Sequence, residues 1–103
     1  MNFSHFELAW TSFDCIARKI ICSSNTGDRI HPTQKPVRLY KWLLKNYAKE
    51  GDKILDTHMG SGSSIIACHD MDFEYIAFEI DKTCFELANE RIEVHKSQLR
   101  LNI

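Results

Sequence analysis

The sequence predicts an α/β fold, in which an N-terminal β-hairpin precedes a β-α-β unit with parallel strands, with three helices in all. Two short apolar runs, at residues 53–56 and 73–80, flank one segment of helical composition. Two strands joined by a single helix run parallel with a right-handed crossover. Near the N-terminus, two aromatic or β-branched segments lie only about six residues apart, which favours an antiparallel hairpin.

Length and composition predict one domain, residues 1–103, with a hairpin and loop at 1–30 and the α/β unit at 31–103. The 44% hydrophobic and 26% charged fractions are typical of a soluble globular protein. The net charge of −1 gives no electrostatic case for nucleic acid, although residues 18–49 are locally basic.

Cysteine usage and hydropathy predict a cytoplasmic protein with no membrane segment and no metal. The four cysteines form no C-x-x-C pair, and no secretory leader precedes them, so free thiols are expected. A zinc site would need clustered Cys and His. No apolar run approaches the roughly 20 residues of a transmembrane helix.

The first elements are strands near residues 5–11, "HFELAWT", and 18–23, "RKIICS". The next segment, "SSNTGDRIHPTQKP", has the composition of a loop. Pro36 suits a first helical residue, and Gly51 is expected to end that helix. The helix has an apolar stripe with helical spacing, formed by Val37, Tyr40, Leu43, Leu44, Tyr47 and Ala48.

The second half alternates strands and helices. Residues 53–56 predict a short buried strand, 63–71 a compact helix and 73–80 a second strand. Asp81 or Thr83 is expected to cap the last helix, and Thr83 with Glu86 matches a capping box. The apolar face of that helix comprises Cys84, Ala88, Ile92, His95 and Leu99.

The loop "DTHMGSGSS" after the first parallel strand suggests a ligand site, because such sheets bind ligands at the carboxyl ends of their strands. Gly60 and Gly62 allow close backbone approach and positive φ. The following helix start offers free N–H groups. Glu79, at the end of the second strand, can accept hydrogen bonds from ribose hydroxyls.

The details of the loop favour S-adenosylmethionine among nucleoside cofactors. Dinucleotide loops have a third glycine, but Ile65 stands near that position, and no G-K-[ST] is present for a triphosphate. The Asp56 carboxylate would repel a pyrophosphate and would suit an ammonium group. An adenosine with a methionine tail satisfies both Glu79 and the loop.

Three segments in this order resemble the amino-methylating DNA methyltransferases of the permuted beta class: "HPTQKP" at 31–36, "ILDTHMGSG" at 54–62 and "FEID" at 78–81. The resemblance implies a partial Rossmann-like methyltransferase fold and S-adenosyl-L-methionine as cofactor. It also implies DNA methylation, as in restriction-modification systems, on the exocyclic amino group of adenine or, less often, cytosine. The segments cover residues 31–81, and the closing segment resembles the family's C-terminus.

Carried over residue by residue, the resemblance implies a set of cofactor-binding residues. Their expected roles are contacts around the methionine moiety, contacts from the glycine loop and its preceding acid, and a ribose acceptor. In that order they are Thr33, Gln34 and Lys35; Asp56, Gly60, Ser61 and Gly62; and Glu79.

Two departures from the family pattern limit the expected function. Thr57 and His58 replace a common Pro-Phe pair, which predicts a modified cofactor pocket that these two residues still line. His58 is favoured as a pocket wall, with a general base as the alternative. The family's catalytic loop, [DNS]-P-P-[YFW], has no counterpart, because the sequence contains no Pro-Pro pair. We therefore expect the C-terminal, cofactor-binding portion of an adenine-specific enzyme, with no catalytic residue and little activity of its own.

Several alternatives remain open from the sequence. The chain could derive from a cytosine, RNA or protein methyltransferase, or could be a non-catalytic module that complements a partner chain. Missing strands predict pairing with an absent N-terminal half, or self-association through exposed sheet edges. For single residues, Trp10 and Trp42 suit a core, Asp81 a helix cap, and Asp56 a loop brace as well as a ligand contact.

Overall fold

The computed structural model describes residues 11–13, 20 and 34–101 of the chain. These contain α1 (Val37–Tyr47), β1 (Lys53–Asp56), α2 (Ser63–Asp70), β2 (Glu74–Ala77) and α3 (Lys82–Leu101). The predicted order of elements after residue 34 is therefore confirmed. Of the expected hairpin strands at 5–11 and 18–23, only Thr11 and Ile20 are described, and neither lies in a strand. The remainder of both segments, and the expected site residue Thr33, lie outside the described residues.

β1 and β2 pair in parallel, with α2 as the connection between them. Their register places Leu55 opposite Ile76 and Asp56 opposite Ala77. β1 has the predicted bounds, but β2 is shorter than the predicted 73–80. Glu79 therefore lies two residues beyond the strand, where the backbone turns toward α3.

α1 begins and ends slightly differently from the prediction. Pro36 is the N-cap in an extended conformation, with φ −70° and ψ 145°, so the helix begins at Val37. Ala48 ends it, because its N–H donates to the Leu44 carbonyl at 3.0 Å and its own backbone is extended. Gly51, expected to end the helix, instead lies in the following turn with φ +89°.

α2 contacts the sheet and both other helices, and it is buried over most of its length. One apolar cluster joins it to α3 and contains Met59, Ile65, Ile66, Ala88 and Ile92. A second joins it to α1 and contains Leu44, Ala67 and Cys68. Ile54 and Tyr75 point from the sheet into the second cluster. α2 is therefore the centre of the core, which explains why its sequence is apolar or small nearly all round.

The opposite face of the sheet is largely uncovered. Leu55 is 64% exposed and its neighbour in register, Ile76, is 61% exposed. The prediction of a buried first strand is therefore wrong, because only alternate residues of β1 face the helices. A parallel sheet usually has both faces covered, so this face is unusual for its class.

Asp81 caps α3. Its side-chain oxygen accepts a hydrogen bond from the Cys84 N–H at 2.8 Å, and its carbonyl accepts one from the Phe85 N–H at 2.8 Å. Of the two caps that the sequence allowed, Asp81 is confirmed. Thr83 lies inside the first turn, so the predicted capping box with Glu86 is wrong.

A polar cluster ties the three helices together at the far end of α2. Asp70 accepts a contact from Lys41 Nζ at 2.8 Å and one from His95 Nε2 at 2.7 Å. The His69 and His95 rings meet edge to face, with centroids 6.3 Å apart. Within the part of the chain that the structure covers, no helix is both long and apolar enough to cross a membrane.

Candidate functional site

The loop between β1 and α2 folds into a tight turn. The Gly62 N–H donates to the Met59 carbonyl at 2.9 Å, and both Gly60 and Gly62 have positive φ, +54° and +85°. A Cβ on Gly62 would lie 3.0 Å from Ile92 Cδ1 and 3.5 Å from Ala88 Cβ. Gly62 is therefore required both by its backbone conformation and by its close packing against α3.

Asp56 braces this loop from the end of β1. One carboxylate oxygen accepts the His58 N–H at 3.0 Å, and the other accepts the Ser64 hydroxyl at 2.5 Å. The Asp56 carbonyl accepts the Phe78 N–H at 2.9 Å, which continues the contact between the two chain segments beyond the strands. The loop-bracing interpretation of Asp56 is therefore confirmed as a structural role.

Glu79 braces the same loop from the other strand. Its Oε1 accepts the Gly60 N–H at 2.9 Å, and its Oε2 accepts the Asp81 N–H at 2.9 Å. The Met59 N–H also donates to the Phe78 carbonyl at 2.9 Å. The carboxylates that follow β1 and β2 thus hold one loop between them, at the carboxyl edge of the sheet.

A cleft of about 450 Å³ opens beside Glu79. Its lining combines polar residues after β1, the Glu79 carboxylate, and apolar residues around the end of β2 and the start of α3. The lining residues are Thr57, His58, Ala77, Phe78, Glu79, Ile80 and Phe85. Thr57 Oγ1 and His58 Nδ1 are 2.8 Å apart at one side. Cleft volumes of roughly 300–1,000 Å³ are typical of small-molecule sites.

The charge of Asp56 reaches two groups behind the sheet. The pKa of Tyr40 is raised, first by burial of the phenol and second by the negative charge of Asp56. The pKa of the buried Cys68 thiol is raised for the same two reasons. Burial and the nearby negative charge therefore both favour the neutral forms of these side chains, and Cys68 is a core residue.

Most of the predicted site residues meet in this region. Asp56, Glu79 and the loop residues between 57 and 62 lie at one edge of the sheet, joined by the hydrogen bonds described above. Gln34, which is 7% exposed, and the half-buried Lys35 precede α1. Val37, just after them, packs against the apolar cluster that also contains the loop residue Met59.

Sequence reasoning missed five residues of the site. Four of them line the cleft, Ala77, Phe78, Ile80 and Phe85, and the fifth, Arg91 of α3, contacts the glycine loop. For Ile80, the signal available in the sequence was its position next to Glu79. In the structure its side chain is 98% exposed. Arg91 lies three residues after Ala88, but nothing in the sequence indicated that α3 packs on the loop. Among the described residues, no group of His, Cys, Asp and Glu could hold a metal ion.

Comparison with known proteins finds type II methyltransferases among the relatives of this chain. The chain is 36% identical over 69 residues to the type II methyltransferase M.HpaI of Haemophilus parainfluenzae, which covers 67% of this chain. It is 35% identical to M2.DpnII of Streptococcus pneumoniae over 61% of this chain. It is 29% identical to M.HindIII of Haemophilus influenzae over 70% of this chain.

A solved structure, that of the M1.HpyAVI–SAM complex, matches with a TM-score of 0.59 and 33% identity. The match covers 62% of this chain and 32% of that one. The partial α/β methyltransferase fold expected from the sequence is thereby confirmed. The chain spans only 22%, 24% and 23% of the lengths of the three methyltransferases named above.

The family model described as DNA methylase matches residues 9–90, which is most of the chain. The match includes α1, both strands, the glycine loop and the first half of α3. The resemblance inferred from "HPTQKP", "ILDTHMGSG" and "FEID" is therefore confirmed. This chain belongs to the DNA methylase family.

Proposed function

We propose that this chain binds S-adenosylmethionine in the cleft beside Glu79, as the cofactor-binding part of a DNA adenine methyltransferase. The observation that carries the proposal is the joining of two strand-end carboxylates to one glycine loop at the mouth of an apolar cleft. The sequence similarity to a protein solved as a SAM complex supports the same cofactor.

Glu79 is suited to hold the ribose. Each of its oxygens accepts one backbone N–H, whereas an ionised carboxylate offers about four lone-pair sites. Capacity therefore remains for two ribose hydroxyls. The adenine ring would lie among Phe78, Ile80 and Phe85, whose exposed apolar surfaces line the cleft. Burial of those surfaces under a planar ring would supply affinity.

The glycine loop is suited to hold the methionine end. The N–H groups of Ser63 and Ser64, the first two residues of α2, would be the donors to its carboxylate, because the Ile65 N–H already donates to the Gly62 carbonyl at 3.1 Å. Asp56 supplies a negative charge for its ammonium, while Thr57 and His58 form the adjacent wall. By family resemblance, Thr33, Gln34 and Lys35 complete the contacts from the start of α1.

In the proposed intact enzyme, S-adenosylmethionine would supply a methyl group on a positively charged sulfur for transfer to the amino nitrogen of adenine. Glu79 would hold its ribose and the glycine loop its amino-acid end. Positioning of the two reactants supplies much of the rate. The chain carries no [DNS]-P-P-[YFW] motif to hold the target base, so we propose that it is inactive alone. Action on cytosine or on RNA is the alternative for the same cofactor site.

A second candidate function, assembly with another polypeptide, is favoured by the uncovered face of the sheet. Leu55 and Ile76 are adjacent in register, and Phe78 is 57% exposed beyond them. Such a surface suits either the remainder of a methyltransferase or a second copy of this chain. We propose that assembly in the cytoplasm precedes any action on DNA.

Titration calorimetry of the chain with S-adenosylmethionine and S-adenosylhomocysteine tests the cofactor proposal. We expect both ligands to bind. A free ligand concentration of about 100 times the dissociation constant should raise the free energy of unfolding by about 2.7 kcal/mol. Glu79→Ala should remove most of this gain, while the exposed Glu74→Ala should retain it. Absence of binding by the unmodified chain would refute the proposal. Methyl transfer to DNA by the chain alone would refute its assignment as inactive.

A further inference from the structure

Arg91 of α3 contacts the glycine loop at three acceptors. Its Nη1 lies 3.0 Å from the Ser61 carbonyl, 3.4 Å from Ser61 Oγ and 2.9 Å from Ser63 Oγ. Ser61 and Ser63 are 5% and 2% exposed, so these oxygens have little access to water. A buried carbonyl or hydroxyl without a partner is costly, and Arg91 supplies the donor.

The contact belongs to a continuous face of α3. Ala88, Arg91 and Ile92 are spaced three and four positions apart, so they lie on one side of the helix. Ala88 and Ile92 pack against the Cα of Gly62, where an added Cβ would meet them at 3.5 and 3.0 Å. Arg91 extends this face by holding the preceding carbonyl, so α3 fixes the loop by shape and by hydrogen bonds together.

We infer that Arg91 is a positioning residue that fixes the glycine loop in the conformation that receives the amino-acid end of the cofactor, an inference that rests on the proposed function. Arg91 is outside the cleft lining and acts through Ser61 and Ser63. One guanidinium nitrogen, Nη1, shares its two N–H groups among these acceptors, in a planar geometry that the ammonium of a lysine does not reproduce. The loop is thereby ordered before the ligand arrives.

The two ends of the ligand would contact different parts of the site. The nucleoside end would contact Glu79 and the apolar cleft, whose α3 contribution is Phe85, six positions before Arg91. The amino-acid end would contact the loop that Arg91 holds. Loss of Arg91 should therefore weaken ligands with an amino-acid end much more than ligands with only the nucleoside.

Hydrogen exchange of the unliganded chain tests the positioning role independently of any cofactor. In Arg91→Met, which keeps length but not donors, the amides of residues 59–64 should exchange about tenfold faster. Arg91→Lys should give an intermediate rate. The control is Lys96→Met, another cation of α3, whose Nζ lies 3.5 Å from the Tyr75 hydroxyl. Equal loop exchange in Arg91→Met and the unmodified chain would overturn the inference.

Calorimetry with two ligands supplies the second readout. S-adenosylmethionine should bind Arg91→Met about tenfold more weakly, and methylthioadenosine, which lacks the amino-acid end, less than about twofold more weakly. Equal loss for both ligands would indicate a general structural role and overturn the inference. If the unmodified chain binds neither ligand, the proposed function fails, while the exchange measurement still decides the role of Arg91 in the loop.

Discussion

The Glu79 carboxylate accepts the Gly60 N–H at 2.9 Å, and this bond joins the segment after β2 to the loop after β1. The same carboxylate accepts the Asp81 N–H, so Glu79 is a structural residue before any ligand is bound. A ligand that binds Glu79 therefore meets an acceptor already fixed in position.

Glu79→Ala should lower the free energy of unfolding of the unliganded chain by about 1–2 kcal/mol, because two charge-assisted hydrogen bonds are lost. Urea unfolding followed by circular dichroism measures this loss. The matched control is Glu74→Ala, since the Glu74 and Lys53 side chains are 77% and 78% exposed and 3.6 Å apart. Such an exposed pair contributes little. Equal losses in the two variants would contradict the structural role of Glu79.

Two glycines with similar φ allow packing to be separated from backbone strain. Gly51→Ala, at φ +89° with open space around it, should cost about 1 kcal/mol. Gly62→Ala, at φ +85°, should cost about 2–4 kcal/mol, because its Cβ also overlaps Ile92. Urea unfolding of both variants gives the difference. The packing of α3 on the loop would be disproved by equal costs.

The Asp70 cluster should make stability depend on acid pH. Partial burial alone would raise the pKa of Asp70, but hydrogen bonds from Lys41 and His95, with their positive charges, lower this pKa overall. A lowered folded-state pKa stabilises the protein above the unfolded value, about 3.9, and this stabilisation is lost as pH falls through the folded value. Stability should therefore decrease below about pH 4.

Asp70→Asn should cost about 1–2 kcal/mol at pH 6 and should flatten the decrease below pH 4. The measurement is urea unfolding at a series of pH values between 2 and 6. Asp72→Asn is the charge-matched control, because Asp72 lies outside the cluster and its φ of +66° suits asparagine. A slope unchanged by Asp70→Asn would show that the acid sensitivity arises elsewhere.

The uncovered sheet face should drive association of the chain. We expect sedimentation velocity to detect concentration-dependent self-association, and the double variant Leu55→Lys with Ile76→Lys to shift the chain to monomer. Val94→Lys, which changes a 51% exposed residue of α3, is the control and should leave association unchanged. If the unmodified chain stays monomeric at all concentrations, self-association is excluded. A partner polypeptide would then be the occupant of this face.

The sequence predicted the second half of the chain well because its signals are local. Strand β1, the crossover helix and the Asp81 cap follow from short apolar runs and a side chain that can accept a helix-start N–H. Asp56, Glu79 and the glycines were found because strand ends of a parallel sheet meet at one edge.

The errors involve information that a short segment does not contain. Leu55 was expected to be buried, but it is exposed. The error arose because a run of apolar residues does not reveal whether one or both faces of a sheet are covered. Arg91 was missed because its acceptors lie 28 and 30 positions away. Thr83 fits a capping pattern, but α3 begins at Lys82. Asp81 therefore occupies the cap position, and Thr83 lies inside the helix.

Asp81 donates its N–H to Glu79 and caps α3 with its side chain, so one residue serves both the acid beside the cleft and the longest helix. Fraying of the first turn of α3 would release one of the two partners of Glu79, the Asp81 N–H, at the same time. The cleft and the first turn of α3 should consequently form and unfold together, in one cooperative event. Ligand affinity would then depend on whether this turn is formed.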